Sequence, residues 1–226
     1  IKVVHKIKGH YLDSKHPIIM ENLLGIKRVN GSYQTSKKPL LINNLKAIIK
    51  VIDEKEKNEF KSIRNKSLIL LGFSGGFRRS ELVNLEYEDL DFVEEGLKIF
   101  IKRSKTDQSG EGSVKAIPHF NNKEYCPVNK LKIWINYNKI TKGKIYDISD
   151  KSVSLILKKY ALLAGLDPNK YGGHSLRSGF ATSAAESGAE ERNIMAMTGH
   201  KTTQMVRRYI QEANLFKNNA LNKIKI

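Results

Sequence analysis

The sequence predicts a mainly α fold carrying one small antiparallel β-sheet, an α+β arrangement. Three observations predict it. Apolar residues recur at helical spacing from residue 42 onward. Near residue 97 the pattern switches to short runs of β-branched and aromatic residues flanking a polar turn. Helical spacing then resumes near residue 127 and continues almost to the end. The two periods, one residue face per helical turn and one per alternate strand position, separate these segments.

Residues 1–38 precede this pattern. They hold short apolar stretches and end in the polar run 31–39, punctuated by Pro39. That segment is too short and too polar to fold alone. The chain opens on Ile1 rather than Met, and the expectation is a fragment or a processed chain. Ile42, Leu45, Ile48, Ile49 and Ile52 then share one helical face, with Asn43 or Asn44 available as a cap. A second helix is expected over 62–73, broken by Gly75-Gly76, and a short one follows over 79–85. Leu97-Lys-Ile-Phe-Ile101 and Val114-Lys-Ala-Ile117 read as paired strands about the turn 104–113, and residues 89–93 as a third strand beside them. Helices are expected again over 127–138, 150–164, 175–187, 190–198 and 202–210, with a last one near 213–222. There is no internal repeat and no low-complexity tract.

The 226 residues suffice for one large domain, or one domain plus a remnant, and 40% are hydrophobic, so a sizeable core can form. Lys and Arg number 40 against 23 Asp and Glu, a formal charge of +17. That surplus favours a polyanionic partner, with nucleic acid first and an acidic membrane surface as the rival. No apolar run approaches the ~18 residues that span a bilayer, and no signal peptide opens the chain. The single Cys126 rules out an intrachain disulfide and lacks the Cys/His spacing of a zinc site; it reads as a packing residue in a reduced, cytoplasmic setting.

Four short segments can carry chemistry: Phe77-Arg-Arg-Ser-Glu-Leu82 after the double glycine, His174-Ser-Leu-Arg177 opening a helix, Thr198-Gly-His200 ending one, and Arg207-Arg-Tyr-Ile210. Each alone is ordinary: a solvated arginine, a surface His–Arg pair, a capping glycine, a core tyrosine. Together they make one chemical sense. Two arginines can clamp a phosphate with paired N–H donors. Histidines move protons near neutral pH. A tyrosine hydroxyl can attack phosphorus and form a covalent ester. No carboxylate cluster suits two-metal nuclease chemistry, and no Gly-x4-Gly-Lys-Ser/Thr phosphate loop is present. Swapping one phosphoester for another needs neither, so no metal and no cofactor is expected.

In this order and spacing, the four segments resemble the tyrosine recombinase (phage integrase) family over about residues 40–226. The resemblance implies the catalytic-domain fold of that family for residues 39–226, with 1–38 as the end of a helical core-binding domain plus linker. Arg78 takes the first arginine position, Glu81 the supporting acidic position, His174 and Arg177 the His-x-x-Arg motif, and Tyr209 the nucleophile position. His200 matches the Leu-Gly-His motif, although Thr198 stands where leucine is commoner. The family also uses a β-hairpin lysine. Lys105 takes that place in the polar turn, with Lys102 and Lys115 as alternatives on the flanking strands.

The resemblance further implies a site-specific recombinase that cuts and rejoins double-stranded DNA through a 3′-phosphotyrosyl link on Tyr209. His174 would take the tyrosine proton, Arg78, Arg177 and His200 would hold the non-bridging oxygens, and Lys105 would protonate the leaving 5′ oxygen. It implies a monomer when free and a tetramer on DNA, joined through the C-terminal helix, working in the cytoplasm at the nucleoid. Rival readings are a type IB topoisomerase-like relaxing enzyme and a non-catalytic DNA-binding relic. An RNA-binding protein ranks below both, since no glycine-aromatic RNA motif is present.

Overall fold

The computed structural model describes all residues except 1, 32–36, 103–111, 201, 215, 217–219 and 225–226. The chain divides into two units, Ile1–Ser36 and Lys37–Ile226. In the first, α1 (Lys2–Ile7) and α2 (Pro17–Asn30) contain no buried residue. Pro17 opens α2 at the first turn, where its missing N–H costs nothing.

The second unit is mainly helical. It runs α3 (Ile42–Lys55), α4 (Glu59–Ser74) and α5 (Arg79–Val83). The strands β1 (Leu90–Val93), β2 (Gly96–Ile101) and β3 (Ser113–Pro118) follow. The chain continues as α6 (Pro127–Tyr137), α7 (Asp150–Leu163), α8 (His174–Glu186), α9 (Glu191–Thr198) and α10 (Thr203–Asn214). The sheet is antiparallel in the order β1-β2-β3, with Leu90 opposite Ile99 and Leu97 opposite Ile117. Among the described residues no helix is long and apolar enough to cross a membrane.

The core explains these elements. Leu45, Ile48, Ile49 and Ile52 turn inward from α3, and α4 is buried over most of its second half. Trp134 of α6 is buried and donates its indole N–H to the Ile145 carbonyl at 2.8 Å. Cys126 is fully buried at the start of α6, as a packing residue should be.

Some boundaries differ from the sequence reading for local reasons. Helix α4 starts at Glu59 because the Asn58 side chain accepts the Lys61 N–H at 2.9 Å, a cap that periodicity does not show. Neither Asn43 nor Asn44 caps α3: Leu41 holds that position with no side-chain bond, and Asn44 instead donates to the Tyr171 hydroxyl at 2.9 Å. The separate helix expected near 213–222 is not found among the described residues. Gln211, Glu212 and Ala213 are good helix formers, so α10 runs on to Asn214, and only a 3₁₀ turn spans Ala220–Lys223.

What matters most for the site is how α8 is anchored. The Leu40 N–H donates to the Ser175 carbonyl at 2.9 Å, so the segment leading into α3 lies on the first turn of α8. Gly179 permits this approach: a β-carbon there would overlap the Leu40 carbonyl oxygen and crowd its backbone nitrogen at 2.9 Å. Backbone on both sides cannot rotate away as a side chain can. Gly179→Ala is therefore expected to destabilise the protein by about 1–3 kcal/mol, the usual range for forced overpacking. Urea unfolding followed by circular dichroism measures this, and an unchanged midpoint would contradict the packing argument.

Candidate active site

The four sequence segments converge. Arg78 sits at the N-cap of α5, directly after the glycine turn that ends α4. Glu81, one helical turn later, accepts the Arg78 backbone N–H at 2.9 Å through one oxygen and the guanidinium at 2.5 Å through the other. The Glu81 side chain is 3% exposed, so the carboxylate serves Arg78 rather than solvent. The same guanidinium reaches the Gly199 carbonyl at 3.5 Å.

Arg177 lies in the second turn of α8 and is 2% exposed. One terminal nitrogen donates to the Gly76 carbonyl at 2.9 Å, while the other is buried with no hydrogen-bond partner among the described residues. An unpaired buried donor is costly unless something fills its place. Burial, then the nearby Arg78 cation, lowers the Arg177 pKa to about 10 despite Glu81 and Tyr209. It therefore keeps its charge at neutral pH.

His174 is the first residue of α8, and its Nε2 lies 3.3 Å from the Tyr209 hydroxyl. Desolvation, and then the Arg177, Arg78 and Arg79 cations, hold its pKa below the ordinary histidine value. The residue as a whole is solvent-exposed, so those cations act through partial screening. A neutral ring with a free lone pair is the form able to accept a proton.

Tyr209 is carried by α10. Val206, one turn earlier on the same face, is fully buried against Ala181 and Ala185 of α8 and Ile194 of α9, and Tyr209 packs beside it. The two alanines let α10 approach α8 closely enough for its tyrosine to meet His174. His200 follows Gly199, whose left-handed φ of 63° closes α9. Its ring centroid is 5.9 Å from that of Tyr209, and its Nδ1 is 2.8 Å from Thr198 Oγ1. Burial, followed by Arg177, Arg78, His174 and Lys115, lowers the His200 pKa to about 4.

Lys105 lies outside the described residues. Of its two alternatives, Lys102 is exposed and engaged by Glu86 and by Asp89 at 2.9 Å, which raise its pKa. Lys115 points the other way. It is 5% exposed and donates to the Gly75 carbonyl at 2.8 Å and to the Met197 carbonyl. Those carbonyls end α4 and α9, where helix dipoles favour a cation. One lysine on β3 thus ties the turn bearing Arg78 to the helix end bearing His200. Burial lowers its pKa to about 8, with Glu81 opposing and Arg177 and Arg78 adding to the shift.

Sequence reasoning treated Lys115 only as a lesser alternative to Lys105, and read Thr198 only as a departure from a motif. The signal for Lys115 was present in the strand alternation: Val114 and Ala116 face outward, while Lys115 and Ile117 are buried. Nothing in the sequence marked the contact between Thr198 and His200.

Comparison with known proteins shows the family. The model of the phage integrase family matches residues 39–215. An integrase/recombinase xerD homolog of Selenomonas ruminantium is 42% identical over 99% of this chain and 62% of that protein. The tyrosine recombinase XerC of Thermodesulfovibrio yellowstonii is 30% identical over 69% of this chain and 54% of that protein. This chain therefore spans less than two thirds of the length of these relatives. Among solved structures, a XerA recombinase superposes with a TM-score of 0.65 at 16% identity, covering 100% of this chain and 81% of that one. A XerH site-specific recombinase bound to its difH substrate gives a TM-score of 0.65 at 18% identity, covering 91% of this chain and 64% of that one. At such identities the superpositions speak for the fold, while the sequence matches speak for descent: this chain belongs to the phage integrase (tyrosine recombinase) family.

Proposed function

We propose that this chain is the DNA-cleaving and rejoining part of a site-specific recombinase, with Tyr209 as nucleophile. The observation that carries the reading is the Tyr209 hydroxyl 3.3 Å from His174 Nε2, beside Arg177 with a buried guanidinium nitrogen that lacks a partner among the described residues. A phosphoryl oxygen supplies the acceptor that this nitrogen lacks. The other charges complete the description: Arg78 is oriented by Glu81, and Lys115 adds a cation held by two backbone carbonyls and the face of the Phe77 ring.

The reaction follows from those groups. Free tyrosine ionises near pH ~10, so Tyr209 needs a proton acceptor, and neutral His174 is in reach. The Tyr209 oxygen attacks the scissile phosphorus, its proton passes to His174, and the bond to the 5′ oxygen breaks. Arg78 and Arg177 hold the non-bridging oxygens as negative charge builds, and His200 donates to the same oxygens. Lys105 supplies the proton to the departing 5′ oxygen. A 5′-hydroxyl from a second strand then attacks the phosphotyrosine and reverses each transfer. One phosphoester replaces another at each step, so no nucleotide triphosphate is consumed.

Within this reading, residues 39–226 form the catalytic domain and 1–38 the end of a core-binding domain plus linker. The substrate is double-stranded DNA, which suits the +17 charge and places the protein at the nucleoid in the cytoplasm. The free chain is a monomer, and on DNA four copies assemble by exchanging C-terminal segments. Two features support exchange. Phe216, Leu221 and Ile224 are exposed at that end of the chain. An apolar pocket of about 640 Å³, lined by Leu45, Phe73, Phe120, Tyr125, Phe180 and Met197, can take such side chains from a neighbour.

Three outcomes are expected. Tyr209→Phe should bind a nicked suicide substrate yet leave no covalent adduct on a denaturing gel; an adduct that persists in this variant would overturn the nucleophile assignment. Arg177→Lys should lower cleavage by about 10²–10³-fold, the usual cost of losing one positioned oxyanion donor, because a point charge cannot replace the planar fork. Single-turnover cleavage within threefold of wild type would argue against a phosphate clamp. Truncation after Asn214 should spare binding to one duplex and abolish pairing of two, as read by native gel shift; intact pairing would remove the C-terminal segment from assembly.

A further inference from the structure

Thr198 makes two contacts that together define a proton position. Its Oγ1 lies 2.6 Å from the Ile194 carbonyl oxygen and 2.8 Å from His200 Nδ1. The carbonyl has no proton to give, and the hydroxyl has one. Both contacts are hydrogen bonds only if Thr198 donates to Ile194 and accepts from a proton on His200 Nδ1. We infer that Thr198 is a positioning residue that holds the single ring proton of His200 on Nδ1, so that Nε2 carries a lone pair until a bound anion brings a second proton.

The surroundings leave Thr198 little freedom. It is fully buried. Its methyl faces the glycine turn before Arg78, where a β-carbon on Gly76 would come within 3.2 Å of it. A β-branched side chain in a helix has few rotamers, and with the methyl so placed the hydroxyl lies over Ile194 and His200. Gly199 reverses the chain in the left-handed region, with its N–H on the Met195 carbonyl at 2.7 Å, which returns the His200 ring beside the threonine.

The groups that face His200 are the cations Arg78, Arg177 and Lys115, with His174 and the Tyr209 ring. The Glu81 carboxylate is turned to Arg78. A second proton on His200 is therefore disfavoured in the free protein, which agrees with its pKa of about 4. A neutral His200 bonded through Nδ1 has no proton on Nε2 to offer a phosphoryl oxygen. It can donate there only as the imidazolium, whose second proton comes from solvent. An arriving phosphate offsets the three cations, so anion binding and proton uptake at His200 are linked. This part rests on the strand-transfer reading; the tautomer itself does not.

The test uses the free chain with ¹⁵N-labelled histidine. Long-range proton–nitrogen spectra at neutral pH should show the His200 proton on Nδ1 in wild type and in Thr198→Ser, with a shift toward Nε2–H in Thr198→Val. A proton on Nε2 in wild type, or identical spectra for wild type and the valine variant, would overturn the inference. Adduct formation on the suicide substrate provides the linked readout. Wild type and Thr198→Ser should lose rate as pH rises above the His200 pKa of the complex, approaching tenfold per pH unit, whereas Thr198→Val should lose that slope. Equal slopes would overturn the proton linkage. Absence of any adduct in wild type would count against the strand-transfer reading, while the spectra would still decide the tautomer.

Discussion

Positive charge in excess of the carboxylates that face it organises this molecule. Arg177 is bound by the Gly76 carbonyl, Lys115 by the carbonyls of Gly75 and Met197, and Arg78 partly by that of Gly199. Backbone dipoles lower the cost of burying these cations without cancelling their charge. Glu81 is the one carboxylate that the described contacts place on Arg78, and it binds both the backbone N–H and the guanidinium of that residue. Among the described residues, the result is a pocket with more charge than counter-charge and with one guanidinium nitrogen left without an acceptor. Such an arrangement is poised for an anion that arrives from outside.

The same field sets the protonation of the neighbours. His174 and His200 are both pushed toward the neutral form, by desolvation first and by the arginines next. The two rings are nevertheless tied differently. His174 presents Nε2 to a tyrosine hydroxyl, whereas His200 is bonded through Nδ1 to a buried threonine. One electrostatic environment thus holds two differently bonded rings, because the hydrogen bond on each ring decides which nitrogen is available. The difference between the two rings lies in side-chain contacts of a few ångströms, not in overall charge.

Holding these groups together falls to backbone contacts at α8. The chain before α3 lies against α8 at Gly179 and Ser175, the glycine turn binds Arg177, and α10 packs on the alanine face through Val206. Each contact uses a small residue or a backbone atom, so α8 is approached closely from several sides. Lys115 adds a link from the sheet to both the Arg78 turn and the end of α9. The site is accordingly built from elements far apart in sequence, and its geometry is only as rigid as these close approaches.

Much of the architecture was legible from periodicity. The helical face of Leu45, Ile48, Ile49 and Ile52 and the strand pair around residues 97 and 117 follow from burying apolar side chains on one side of a regular backbone. The order of Arg78, His174, Arg177, His200 and Tyr209 was also readable, since residue type and spacing are properties of the chain alone. The partnership of Asn44 with Tyr171, the burial of Lys115 between two helix ends, and the bond between Thr198 and His200 were not. The physical reason is the same in each case. Local sequence determines which face of an element is apolar and which groups can donate or accept. Which donor meets which acceptor, and which charge loses its water, is decided only when distant segments pack together.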